Sequence, residues 1–200
     1  MSPSRYPFRI GPRALQRVCP SVTDECAQSL AGDLGQAMHD FDIDTAARAA
    51  AFIAQIAHES GEFRFREEIA SGAAYEGRED LGNTTPGDGV RFKGRTFIQV
   101  VGRSNYAAIS KALDHDFVAH PGELAEQRWA ALGAAWWWSS HGLNGLADCG
   151  HFNAVTQCIS GGQNGAANRR AYYDRARPVA RFLVPARRKP QSISLHQGAR

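Results

Sequence analysis

The segment AHESGEFRFREE, residues 57 to 68, carries four glutamates, and two of them are spaced for acid/base chemistry. Glu59 falls in the last turn of a helix expected over residues 45–60, beside Ile56 and Ala57. The partial negative charge of a helix C-terminus and partial burial both disfavour another anion there, and a general acid needs a carboxyl group that holds its proton. Glu68 follows nine residues later. On one unbroken helix, nine steps of ~100° would leave the two carboxyls on opposite faces, ~13.5 Å apart along the axis. The break at Ser60-Gly61 lets the chain turn and bring Glu68 back toward Glu59. Two carboxyls ~6.5–9.5 Å apart, with room for a water between them, can hydrolyse a glycosidic bond with inversion. Glu67 is adjacent and competes with Glu68 for the second role. Taken alone, Glu59 reads first as a surface glutamate at a helix end.

These side chains need a scaffold, and the hydrophobic periodicity describes one that is mainly α. Leu30, Leu34 and Met38 recur at helical spacing within residues 23–39, where Thr23 or Asp24 can cap the helix. In residues 45–60, Asp44 or Thr45 can cap, and Phe52, Ile53, Ile56 and Ala57 form one apolar stripe. Further helices are expected over residues 104–113, 121–140, 151–159 and 165–183. Between them, residues 72–94 are dense in Gly, Asp, Asn, Thr and Pro, which predicts a loop-rich insertion or a small β-hairpin. A loop of that length inside a compact domain is usually functional or disordered. Residues 97–101 read as a buried strand or a helix start. Residues 1–184 are expected to form one domain, and residues 185–200 a basic, weakly ordered tail. Trp129 and Trp136 share a helix face, so the tryptophans read first as a core seam. His58 points about a quarter turn from Glu59 and reads as structural.

Three ordered blocks make the reading specific. AFIAQIAHESGEFRFREEIASG resembles the active-site region of glycoside hydrolase family 19, the plant-type chitinases and their phage endolysin relatives. GDGVRFKGRTFIQVVGRSNY, residues 87 to 106, resembles that family's F-x-G-R-G-x-I-Q-L-T-G-x-x-N-Y segment, and CISGGQNGAANRRAYYDRA resembles its I-N-G-G…R-x-x-Y-Y ending. The resemblance covers roughly residues 46–177. It implies a lysozyme-like, two-lobed helical fold, with Glu59 as general acid and Glu68 as the second carboxylate. It also implies that Gln99 and Asn105 line the sugar cleft, with Tyr106 beside them and Arg169 near the substrate. Amide side chains suit sugar hydroxyls and N-acetyl groups because they both donate and accept. Read singly, Gln99 is also a polar strand end, Asn105 a helix cap, and Arg169 a solvent-facing cation. The chain departs from the pattern at Val101, where the family carries Ser or Thr, at Ser160, where it carries Asn, and at Thr96, where it carries Gly. Valine cannot hydrogen-bond a water, so another group must hold the nucleophile or turnover is slower.

Composition limits the alternatives. With 43% hydrophobic and 22% charged residues the chain is ordinary for a globular protein, and no apolar run reaches the ~18 residues of a membrane span. The N-terminus is basic without a signal-peptide apolar stretch, so the chain is expected to be made in a cytoplasm and to reach the wall once the inner membrane is breached. Cys19, Cys26, Cys149 and Cys158 lack metal-pair spacing and read as free thiols or small core residues. No metal or cofactor is expected. The net charge of +3 is concentrated late, in Arg169, Arg170, Arg175, Arg177, Arg181, Arg187, Arg188 and Lys189. Such a surface suits a polyanion, and an acidic cell wall is one. No helix-turn-helix or zinc-finger pattern supports nucleic acid as the partner. The expected activity is hydrolysis of β-1,4 bonds in peptidoglycan by a monomer without stable membrane insertion. A chitinase and a non-catalytic wall-binding relative are the alternatives.

Overall fold

The computed structural model describes residues 7–187. The described chain runs β1 (Phe8–Arg9), α1 (Pro12–Val18), α2 (Asp24–Asp40), α3 (Ala46–Glu59), α4 (Asp88–Arg91), α5 (Arg103–Leu113), α6 (Gln127–Ser140), α7 (Leu143–Asp148), α8 (Phe152–Ser160), α9 (Ala166–Ala176) and β2 (Ala186–Arg187), with four short 3-10 turns between them. The architecture is mainly α, as expected.

α3 is the centre of the molecule. Thr45 caps it by accepting from the Arg48 amide at 3.2 Å, which satisfies one otherwise unpaired N–H of the first turn. Every residue from Ala49 to Ala57 is buried, so the helix is enclosed on all sides. Alanines at five of those positions let α9, α8 and α7 pack against it. Thr23 caps α2 in the same way, through the Cys26 amide at 3.3 Å.

The apolar side chains divide into two clusters. The larger gathers α1, α2, α3, α6 and α9. The smaller consists of Phe92, Tyr106, Ile109, Phe117 and Leu124, and Trp129 and Leu113 pack against both. Two cores meeting at shared residues make two lobes, and from α3 the chain passes toward the loop-rich insertion. That passage is the turn after α3. Ser60 Oγ donates to the Ile56 carbonyl at 2.6 Å and accepts from the Phe63 amide at 2.8 Å, closing the helix end. Gly61, Glu62 and Phe63 then adopt φ of +56°, +58° and +68°, three successive left-handed residues. Left-handed backbone costs roughly 1–2 kcal/mol for a residue with a Cβ. Two anchors offset it: Phe63 is buried edge-on to Phe97 at 5.3 Å, and the Glu62 carboxylate accepts from Ser21 and Tyr172.

Several expectations are corrected. The helix expected over residues 121–140 breaks at Glu126 into a 3-10 turn (Pro121–Ala125) and α6, and the one over 165–183 becomes α9 followed by a 3-10 turn (Arg177–Phe182). Pro178 lacks an amide proton to continue α9 and clashes with the preceding turn. Residues 97–101 form neither strand nor helix start but a tight turn. Thr96 and Gln99 have φ of +78° and +60° there, and a bridge between Arg95 and Val100 closes it. The insertion over residues 72–94 is loop-rich, with two 3-10 turns and α4 rather than a hairpin, and the isolated bridges Glu67–Arg95 and Arg95–Val100 lie beside it. Ala186 and Arg187, placed in a weakly ordered tail, pair antiparallel with Arg9 and Phe8. Residues 188–200, including Arg188 and Lys189, lie outside the described residues. None of the four cysteines forms a disulfide.

Candidate active site

Glu59 is the last residue of α3, and its side chain is 20% exposed. Arg169 on α9 pairs with it, Nη2 donating to Oε1. Arg169 is 3% exposed, which sets aside the reading of a solvent-facing cation. It is held at both ends, because Nη1 donates to Gln55 Oε1 at 2.6 Å and Nε to the Asn164 carbonyl at 3.2 Å. A planar guanidinium fixed at these two points presents Nη2 in one direction, so the Glu59 carboxyl is oriented through Oε1.

Glu67 and Glu68 are separated by their partners. Glu67 binds Lys93 Nζ at 2.6 Å and Arg95 Nε at 3.0 Å. Burial alone would raise its pKa, but the hydrogen bonds and charges of Lys93 and Arg95 outweigh it and hold the carboxyl below the usual glutamate value. Glu68 points the other way. Its amide donates to the Gly94 carbonyl at 2.9 Å, and Oε2 accepts from the Tyr75 hydroxyl at 2.9 Å. Burial, with the Glu68 bond and charge added, raises the Tyr75 pKa, which keeps Tyr75 a donor. Glu68 Oε1 is buried and has no hydrogen-bond partner. Gln99 Oε1 is in the same condition, while its Nε2 leans toward the Thr96 carbonyl at 3.4 Å.

The two side chains approach each other at Gly94. A Cβ placed there would lie 2.7 Å from Gln99 Oε1, 3.2 Å from Glu68 Oε2 and 3.4 Å from Glu68 Cδ, and Oε2 is the oxygen that Tyr75 already holds. A side chain at residue 94 would therefore crowd both the carboxylate and the amide. Glu68 Oε1 and Gln99 Oε1, each buried without a partner, each call for a donor, and a water or a sugar hydroxyl has the required hydrogens.

The other expected residues take less direct places. Asn105, half-buried at the start of α5, donates from Nδ2 to the Val101 carbonyl at 2.8 Å and so ties down the helix entry. Tyr106 is fully buried in the smaller core, its hydroxyl donating to the Lys93 carbonyl at 2.6 Å and accepting from Arg95 Nη1 at 2.9 Å. Burial pushes its pKa up. Its aromatic ring is what the core requires, and its hydroxyl fixes the Arg95 that restrains Glu67. Ser160 Oγ lies 2.9 Å and 2.8 Å from the Thr156 and Gly162 carbonyls, closing the end of α8. His58 Nδ1 is 2.7 Å from Asn168 Oδ1, a tie between α3 and α9. Trp138 is buried edge-on to Phe52, and Trp129 stacks on His115, in keeping with a core seam. A surface hollow of about 700 Å³ lies on the smaller lobe, lined by Thr85, Asp88, Val90, Arg91, Arg103 and Asp116 among others, and neither Glu59 nor Glu68 borders it.

Gln55, Tyr75 and Thr156 are the site residues not named from the sequence. For Gln55 the signal was present: a glutamine four residues before Glu59 on one helix shares its face. Tyr75 and Thr156 reach the site only through tertiary contacts.

No family model matches the chain. It is 30% identical over 156 residues to a glycosyl hydrolase family 19 domain-containing protein of Haemophilus influenzae, covering 62% of this chain and 76% of that protein. It is 35% identical over 114 residues to an endochitinase of Arabidopsis thaliana, of which it spans 39%. Among solved structures, a bacterial family 19 chitinase superposes with a TM-score of 0.69 at 18% identity, over 87% of this chain and 94% of that one. A class IV family 19 chitinase of Zea mays superposes at 0.61 and 22% identity, over 78% and 80%. The fold is thus the mainly helical, lysozyme-like one of these hydrolases. The chain belongs to glycoside hydrolase family 19.

Proposed function

We propose that the protein hydrolyses β-1,4 glycosidic bonds of bacterial peptidoglycan with inversion, Glu59 acting as general acid and Glu68 as general base. The division of labour among the glutamates carries this reading: Arg169 orients Glu59, Lys93 and Arg95 restrain Glu67, and Glu68 keeps one buried oxygen without a partner. Glu59 protonates the glycosidic oxygen as the C–O bond breaks. Glu68 takes a proton from a water that Gln99 helps to hold, and the hydroxide oxygen bonds to the anomeric carbon from the opposite face. Gln99 thereby takes the place of the hydroxyl that Val101 lacks. Asn105 and Arg169 line the same cleft.

Peptidoglycan is favoured by charge. Arg170, Arg177 and Arg181 are exposed, and a cationic face attracts an anionic wall more than it attracts neutral chitin. Among the described residues no helix is long and apolar enough to cross a membrane, and the enzyme acts on the wall after the inner membrane is breached. Chitin is the second reading, because plant relatives bear the name endochitinase. Mass spectrometry of products from purified peptidoglycan, run beside colloidal chitin, separates them. Saccharide fragments from peptidoglycan, lost in Glu59→Gln and in Glu68→Gln by about 10²-fold or more, are the expected result. Fragments from chitin alone would select the second reading, and full activity in a folded Glu59→Gln protein would overturn the assignment of the acid.

A further inference from the structure

Arg169 is itself held from behind by neutral groups. Gln55 Oε1 accepts from Arg169 Nη1 at 2.6 Å, and Gln55 Nε2 donates to Thr156 Oγ1 at 2.8 Å. Gln55 and Thr156 are 0% and 1% exposed. A buried line of side chains therefore runs from Thr156 on α8 through Gln55 on α3 and Arg169 on α9 to the carboxyl of Glu59.

The chemistry of each link dictates the next. A guanidinium only donates, so Gln55 must present its carbonyl oxygen to Arg169 and its amide nitrogen to something that accepts. Thr156 Oγ1 is that acceptor. Without it, the Gln55 amide nitrogen would be a buried orphan, and rotating the amide to relieve it would set two donors against each other. Thr156 thus decides which way Gln55 faces, and Gln55 decides where Arg169 stands. Because Gln55 and the Asn164 carbonyl are both uncharged, Glu59 is the sole carboxylate among the described residues bonded to Arg169.

We infer that Gln55 and Thr156 are positioning residues of the hydrolytic step, acting through Arg169 to place the proton-donating carboxyl of Glu59. The inference rests on Glu59 being the acid. Among the charged groups of the elements packed on α3, Arg169 is the one bonded to Glu59, and Arg170, Asp174 and Arg175 of α9 are exposed. Asp148 of α7 is paired with Arg48 near the opposite end of α3, Arg177 and Arg181 are exposed, and α8 bears only Cys158, also exposed. On the catalytic segment itself, His58 is tied to Asn168 and Glu62 to Ser21 and Tyr172.

The test is steady-state kinetics and melting temperature for Thr156→Val, Thr156→Ser and Gln55→Glu, with Glu59→Gln as reference. Thr156→Val should lower kcat by on the order of tenfold with KM nearly unchanged, because a misplaced acid slows the chemical step more than binding. Thr156→Ser keeps the acceptor oxygen and should recover most of that loss. Gln55→Glu keeps the shape and adds a second carboxylate on Arg169. The competing carboxylate draws the guanidinium toward itself and displaces the Glu59 carboxyl, so kcat should fall by about tenfold with KM nearly unchanged. A lowered melting temperature with kcat unchanged in Thr156→Val would make the pair structural only and overturn the inference. An unchanged kcat in Gln55→Glu would do the same, and that variant decides alone if Thr156→Val does not fold. Activity in Glu59→Gln would remove both the acid assignment and the inference, whereas an inactive Glu59→Gln leaves the other variants to judge the inference by itself.

Discussion

At the scale of single residues, the site depends on which of several similar groups is left unengaged. Glu67 and Glu68 are neighbours of identical chemistry, yet Lys93 and Arg95 occupy one and leave the other a buried oxygen without a partner. Glu67→Gln is therefore expected to retain most turnover. If instead it abolished turnover and Glu68→Gln did not, the base would be Glu67. Val101 offers a gain of function. It is half-buried, and threonine has a similar shape. A hydroxyl there, adding one hydrogen bond to the attacking water, is worth on the order of 0.5–1.5 kcal/mol, at most about a tenfold rise in kcat. Unchanged kcat with a lowered melting temperature in Val101→Thr would show that Gln99 and Glu68 already hold the water. The pairing of Glu59 with a second glutamate nine residues on was legible in the sequence. The choice between Glu67 and Glu68 needed residues 25 to 28 positions away.

At the scale of elements, the turn that ends α3 turns the chain from one carboxylate toward the other. Its left-handed residues persist because Glu62 is bound by the Ser21 amide at 2.8 Å and hydroxyl at 2.5 Å and by the Tyr172 hydroxyl at 3.0 Å. Burial alone would raise the Glu62 pKa, but the Ser21 and Tyr172 bonds and the charge of Arg175 outweigh it and lower it from 4.5. A carboxyl with a depressed folded-state pKa stabilises the protein fully above its unfolded value, and that contribution is lost as pH falls through the folded value. Melting temperature should accordingly fall on acidification below about pH 4.5, and Glu62→Gln should melt lower at pH 7 with a shallower acid decline. An acid decline equal to that of the unaltered protein would show that Glu62 does not govern it. The helix before this turn was readable from its Thr45 cap and apolar stripe. The turn was readable only as a stop at Gly61, because glutamate and phenylalanine do not announce left-handed backbone.

At the scale of the whole molecule, two cores of unequal size meet along the segment that carries the chemistry. The larger one places Glu59, Gln55 and Arg169, and the loop-rich lobe places Glu68, Tyr75 and Gln99. Among the described residues no three His, Cys, Asp or Glu side chains gather as a metal-binding set. Two carboxyls suffice for glycoside hydrolysis. Turnover in excess EDTA is expected to stay within about twofold of the untreated rate, since the acid and the base are both side chains. Loss of activity that zinc restores would overturn the two-carboxylate mechanism.

What the sequence determined by itself was the helical class and the main helices, and its resemblance to the family put forward Glu59, Glu68 and Gln99 as candidates. Periodicity and spacing are properties of neighbours along the chain. It also placed Arg169 as a residue of interest without deciding between cleft and solvent. Tertiary structure decided that Arg169 is buried against Glu59, that Tyr106 belongs to a core, and that Ala186 and Arg187 close a sheet with residues 8 and 9. It alone joined Gln55 to Thr156, 101 residues apart, and Gln55 to Arg169, 114 apart. Long-range hydrogen bonds leave no local period in a sequence, because each partner is chosen by the packing of whole helices rather than by its neighbours.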